Sequence, residues 1–220
     1  MFCKPTITLI LMFAASVANA NQWKLECPDL SNSQGCAMRY EAEVIKNYPL
    51  LISKADGKLR IRLKNGGSHE IADLVQLHNV VAVIQQAQIA VIREQFGEGN
   101  TWHLLSLISG DMTEIAGFPV ASPNANYVFA NEPWDESGYN TPKAAIYQIT
   151  KGKLKLVWLA KCDLNIWGPA KPFWKSNSQL SFTQTKALDF GEFKEDGIVN
   201  ITKLKQKWTS AGLKCNAKSP

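Results

Sequence analysis

Residues 80–96 read VVAVIQQAQIAVIREQF, and the fold class turns on whether this segment is one helix or two strands. β-Branched residues crowd both halves, at Val80, Val81, Val83 and Ile84 and again at Ile89, Val91 and Ile92, with Gln85-Gln86-Ala87 between them. Such side chains lose rotamer freedom in a helix and pack well on a pleated surface, so the segment predicts two strands hinged at 85–87. Its surroundings carry the same signal. YEAEVI (40–45), KLRIRLK (58–64), TWHLLSLIS (101–109), AAIYQIT (144–150), KLKLVWLA (153–160), QLSFTQ (179–184) and GIVNITKLKQKW (197–208) all alternate apolar with polar residues, the period of a half-buried strand. Asp56-Gly57, Asn65-Gly66-Gly67, Ser109-Gly110-Asp111 and Lys151-Gly152 supply the turn chemistry that hairpins need. The expectation is an all-β chain.

Three of these hairpins, around Gly66, Gly110 and Gly152, recur 44 and 42 residues apart, and a fourth pair without its glycine falls near 199–208. A second element also returns. PVASPNANYVF (119–129) matches PFWKSNSQLSF (172–182) in its proline, asparagine, apolar residue and phenylalanine, all at an offset of 53. A repeat of about 40 to 45 residues holding about four short strands is the spacing of a propeller blade, a small sheet that covers its two apolar faces by packing on its neighbours. Pro-x-x-Ser-Pro-Asn-x-x-Tyr-x-Phe followed by Ile-Tyr-Gln-Ile-Thr-Lys-Gly resembles a blade of the TolB-like propellers, in which Ser-Pro-Asp-Gly-Lys precedes a strand, an Ile-Tyr strand and a turn glycine. Here Asn124-Ala125 replaces Asp-Gly, and the resemblance spans residues 104–184. The resemblance implies a propeller; the family's has six blades, whereas a mature chain of roughly 200 residues allows about four to five, a small or incomplete ring. A two-sheet β-sandwich with Greek-key connections is the alternative.

The first twenty residues, MFCKPTITLILMFAASVANA, combine Lys4, an apolar stretch from Ile7 to Val17 and Ala18-Asn19-Ala20, the pattern of a secretory signal peptide cleaved after Ala20. The expected mature product is a single β domain over 21–220, exported to the periplasm or secreted, with no membrane span. Cleavage lowers Lys plus Arg from 24 to 23 against 19 Asp plus Glu, so the formal net charge falls from +5 to +4. That modest excess, and the placing of Lys203, Lys205 and Lys207 on one solvated strand face, argues against nucleic acid as a partner. Of the five cysteines, Cys3 lies in the leader, which leaves Cys27, Cys36, Cys162 and Cys215. An even number in an exported chain predicts two disulfides, with three possible pairings. Cys27–Cys36 across the polar loop PDLSNSQG and Cys162–Cys215 are favoured over a Cys27–Cys215 bridge. No C-x-x-C pair is present to suggest metal ligation.

Motifs for chemistry are sparse. His69, His78 and His103 form no H-E-x-x-H, Ser122-Pro123 reads as a turn rather than a nucleophile, and no P-loop or dinucleotide fingerprint exists, so neither a catalytic residue nor a cofactor is expected. The segment NEPWDESGYNTP (131–142) differs, for it interrupts a strand pair with Glu132, Asp135 and Glu136, the aromatics Trp134 and Tyr139, and two prolines. Aromatics on loops held by a rigid scaffold are contact residues, and the carboxylates favour a basic partner. The alternative is that Trp134 folds back onto the core. Trp167, in a second aromatic cluster with Trp158, Phe173 and Trp174, is a further contact candidate or a cover for the core. The expected function is a non-catalytic exported binding protein that holds another protein, such as an inhibitor or immunity protein against a secreted toxin or hydrolase. An envelope assembly factor and a small Asp/Glu hydrolase or carbohydrate-active enzyme are the alternatives.

Overall fold

The structure is a computed structural model that describes residues 34–73, 76–97, 99–132, 143–161, 167–188, 193–214 and 217–218. One helix, α1 (Gln34–Asn47), precedes a succession of strands. The first sheet is β1 (Ile52–Ala55), β2 (Lys58–Arg62) and β3 (Ser68–Ala72); the second is β4 (Leu77–Ile84), β5 (Ile89–Phe96), β6 (Gly99–Ser106) and β7 (Met112–Ile115). The third contains β8 (Pro119–Ala121), β9 (Tyr127–Glu132), β10 (Lys143–Thr150) and β11 (Lys153–Lys161), and the fourth β12 (Trp167–Ser176), β13 (Gln179–Ala187), β14 (Phe193–Leu204) and β15 (Lys207–Ala211). The short β16 (Ala217–Lys218) returns to β11, pairing Leu159 with Lys218 and Ala160 with Ala217. Every described pairing is antiparallel, and within each sheet the four or fewer consecutive strands run in sequence order.

The 80–96 segment is two strands, as its β-branched density predicts. Ile84 pairs with Ile89 across a single 3-10 turn at Gln85–Ala87, and Gln88 closes the hairpin in the left-handed region. The three glycine hairpins are β2–β3, β6–β7 and β10–β11, and the fourth is β14–β15. In the last of these Lys205 itself takes φ 57.

Helix α1 corrects the reading of 40–45 as a strand. Cys36, Ala37, Glu41 and Val44 are its buried positions, a spacing that follows one helical face, while Ala, Met, Arg and Glu supply good helix formers. The Y-E-A-E-V-I alternation is only a local coincidence with that period. Cys36 is therefore a buried helical residue, and it is disulfide-bonded. Cys27, Cys162 and Cys215 lie outside the described residues. A second correction concerns Lys203, Lys205 and Lys207. The chain turns between β14 and β15, so the three do not share a strand, and Lys203 instead reaches Tyr127, its ammonium 4.9 Å from the ring centroid and bonded to the phenol oxygen. A third is the expected single face of Leu154, Leu156 and Trp158. The register shift between Ile146 and Tyr147 breaks that alternation, sending Leu154 to the second sheet and Trp158 to the fourth.

Burial follows sequence order. Val44 of α1 and Ile52, Leu59 and Ile61 of the first sheet pack on Val80, Val83, Ile92 and Leu105 of the second. The other face of the second sheet, with Val81, Val91, Trp102 and Leu104, packs on Val128, Ala130 and Ile149 of the third. The third sheet in turn meets the fourth through Phe129, Ile146 and Trp158 against Trp174, Phe182, Ile201 and Trp208. Among the described residues no hydrophobic cluster joins the first sheet to the fourth.

Candidate functional site

The two ends of the strands differ. At one end lie the turns 63–67, 85–88, 107–111, 122–126, 151–152, 177–178 and 205–206, all short. They are knitted across sheets: Lys64 N–H donates to Leu107 O at 2.8 Å, and Asn124 N–H to Asn177 Oδ1 at 2.9 Å. Within the 122–126 turn, buried Ser122 accepts the Tyr127 N–H at 3.0 Å and donates to Asn124 Oδ1 at 2.9 Å. Ser122 Oγ is thus committed to the turn, as the sequence suggests. The opposite end carries the connections 56–57, 97–98, 162–166 and 133–142, of which 133–142, at ten residues, is the one longer than the turns of the first end.

At this second end two of the expected contact positions fall near one junction of the third and fourth sheets. Glu132 ends β9 and pairs in register with Lys143, its carboxylate 3.2 Å from the lysine Nζ. Trp167 begins β12, paired with Lys186. Asn131 Nδ2, beside Glu132, donates to Pro169 O at 3.0 Å across the third and fourth sheets, so both positions lie at one junction. Trp134, Asp135, Glu136 and Tyr139 lie outside the described residues. Of the other aromatics near Trp167, Trp174 is core and donates Nε1–H to Val120 O at 2.9 Å, whereas Phe173 is exposed.

The same end holds a charged array that no motif announces. Glu41 of α1 is buried and accepts from Val80 N–H at 3.3 Å and Asn79 Nδ2 at 3.1 Å, while Lys54 of β1 lies 3.2 Å from its Oε2. Lys54 also contacts Asp73 at 3.0 Å and donates to His78 O at 2.6 Å. Asp73 accepts the His78 N–H at 2.8 Å and sits 3.2 Å from its Nδ1; His78 Nε2 faces Glu94 at 3.6 Å, and the other Glu94 oxygen lies 2.7 Å from His103 Nε2. Burial alone would raise the Asp73 pKa, but the His78 N–H and Lys54 outweigh it and hold the carboxyl below its usual range. Next to Glu94 but on the opposite face of β5 is Arg93, fully buried, where desolvation lowers the guanidinium pKa.

A carboxylate held between two imidazoles, with a second carboxylate behind one of them, fixes ring orientation. Here the members are engaged with one another and with the main chain of β4, which makes the array a clasp joining α1, the first sheet and the second. Among the described residues no group of three or more His, Cys, Asp or Glu is disposed to hold a metal ion, and no helix is long and apolar enough to cross a membrane. The signal for the array was only in part present in the sequence: folding 80–96 as a regular hairpin from Ile84 and Ile89 puts His78 opposite Gln95, and the register shift between Val80 and Ala82 is what brings it opposite Glu94. What alternation could not supply was Glu41 and Lys54, which arrive from other elements. No protein-family model matches the chain, and no curated protein does either.

Proposed function

We propose that this chain is a non-catalytic exported binding protein, released by cleavage after Ala20, that grips a protein partner with the connections at one end of a rigid β scaffold. The observation that carries this reading is the ten-residue connection 133–142, longer than any other between described strands, which leaves β9 at Glu132 beside the junction of Asn131 with Pro169, while the turns at the other end are bonded across sheets. Binding surfaces concentrate on loops that a stiff framework holds in place. An inhibitor or immunity protein directed at a secreted toxin or hydrolase suits this design, with a basic contact surface on the partner opposite Glu132, Asp135 and Glu136.

The scaffold we propose is an incomplete propeller in which each consecutive sheet is one blade. In support, the repeated elements 119–129 and 172–182 fall at the first hairpin of successive sheets, and their equivalent asparagines touch. The pairing of β16 with the end of β11 brings together the chain segments that carry Cys162 and Cys215, which supports a bridge between them, with Cys27 left for Cys36. The test is to purify the tagged mature chain from the exported fraction of its native cells. An equimolar protein partner should co-elute, and should be lost when 133–142 is replaced by Gly-Ser with the fold intact. Absence of any partner, or turnover abolished by single carboxylate substitutions in a folded protein, overturns the proposal.

A further inference from the structure

Among the described residues, the first sheet is covered on one side only. On its outer face the central strand β2 presents Lys58, Arg60 and Arg62, all exposed, at intervals of about 7 Å. The residues in register beside them are small: Ser53 and Ala55 on β1, Ser68 and Ala72 on β3. Glu70 is the one acid set among them, 2.7 Å from Arg60 Nε, so the row keeps an excess of positive charge. With no bulky neighbour, these cations stand above a flat surface.

At the Arg62 end of the row the chain adds an apolar point. Tyr48 O accepts the N–H groups of Leu51 at 3.0 Å and Ile52 at 2.9 Å, and Pro49 stiffens the turn that they close. This turn displays Leu50, 82% exposed and the most exposed large hydrophobic residue described. Leu51 O accepts the Arg62 N–H at 2.8 Å, which ties the turn to the cationic strand. Exposed Lys46, in the last turn of α1, and Lys64, just past β2, flank it in sequence.

We propose that this face is a peripheral docking surface for an anionic lipid bilayer, with Leu50 entering the headgroup region and Lys58, Arg60 and Arg62 meeting lipid phosphates. Cations alone would suit any polyanion. An apolar side chain held out on a rigid turn among them is the pairing that interfacial anchoring uses, since apolar burial and headgroup attraction add. The surface lies on the first sheet, away from the Glu132–Trp167 junction, and the inference does not rest on the proposed binding function.

The experiment is co-sedimentation of the folded mature protein with vesicles of phosphatidylcholine alone and of phosphatidylcholine mixed with phosphatidylglycerol. The wild type should partition onto the mixed vesicles only, and added salt should release it. Lys58→Glu/Arg62→Glu should lower the partition coefficient by at least about tenfold. Leu50→Asn should lower it several-fold while leaving retention on immobilised heparin unchanged, and Lys205→Glu/Lys207→Glu, the same charge change on the fourth sheet, should leave vesicle binding intact. Melting curves establish that each variant is folded. Failure of the wild type to bind mixed vesicles, equal loss in the fourth-sheet control, or heparin retention without vesicle binding each overturns the proposal, the last by assigning the face to a soluble polyanion.

Discussion

Gly152 shows how closely one residue can be tied to a distant sheet. Its φ is 75, and a Cβ built there would lie 2.6 Å from Ser106 Oγ and 3.2 Å from Ile108 Cδ1. Gly66 has φ 88 but open space around the missing Cβ. Gly66→Ala should therefore cost about 1 kcal/mol, the left-handed backbone strain alone, whereas Gly152→Ala should cost about 3 kcal/mol because steric displacement of the second sheet is added. Urea denaturation of the two variants measures the difference; equal losses would mean that the turn does not bear on its neighbour. Asp73 gives a pH-dependent outcome. Its pKa is lowered in the folded state, so the stability it contributes is present above the unfolded value of about 3.9 and is lost as the pH falls through the folded value. The stability gap between the wild type and Asp73→Asn should accordingly narrow below about pH 4, as read from denaturation curves across that range. A gap that stays constant into acid would contradict the assignment. Both glycines are visible in the sequence as turn residues. The difference between them is not, since it depends on which side chain of another sheet comes near.

Elements are legible where local pattern and tertiary environment agree. The hairpin at 85–88 agrees on every count: β-branched strands, a polar turn and burial on both faces of the second sheet. Helix α1 does not, because its apolar residues Tyr40, Ala42 and Val44 alternate by chance over six residues, whereas the buried positions there are Glu41 and Val44 and only the longer window reveals the helical face. Glu41 is the residue that binds this helix to the rest, through the Val80 N–H, Asn79 and Lys54. Removing one partner of a buried charged cluster leaves the others uncompensated, so Glu41→Ala should cost about 3 kcal/mol. It should also accelerate amide exchange in α1 more than in β13, which hydrogen–deuterium exchange can resolve. The turn held by Ser122 invites a similar test at smaller scale. Ser122→Ala strips one N–H of its acceptor inside the core and should cost about 1 to 2 kcal/mol. A stability equal to wild type would show that the turn's remaining bonds suffice.

For the whole molecule, the succession of sheets sets an order of protection. Among the described residues, the second and third sheets are covered on both faces, the first and fourth on one. Backbone amides in β5 and β10 should exchange more slowly than those in β2 and β14, because opening the inner sheets requires the outer ones to separate first. Uniform exchange across the four sheets would instead point to a single cooperative unit with the outer faces closed on each other. The hairpins were legible because their turn glycines are chemically conspicuous; the sharing of cores was not, since alternation says which residues face inward but not which sheet they meet. Of the expected contact residues, Glu132 and Trp167 fall among the described residues, and Trp134, Asp135, Glu136 and Tyr139 lie outside them. The contact between Asn124 and Asn177 has a further consequence. Matching positions of the stretches 119–129 and 172–182 touch there, in the third sheet and the fourth. A shift in either turn would be transmitted to the other, so the third and fourth sheets are set in step at their turns as well as through the core they share.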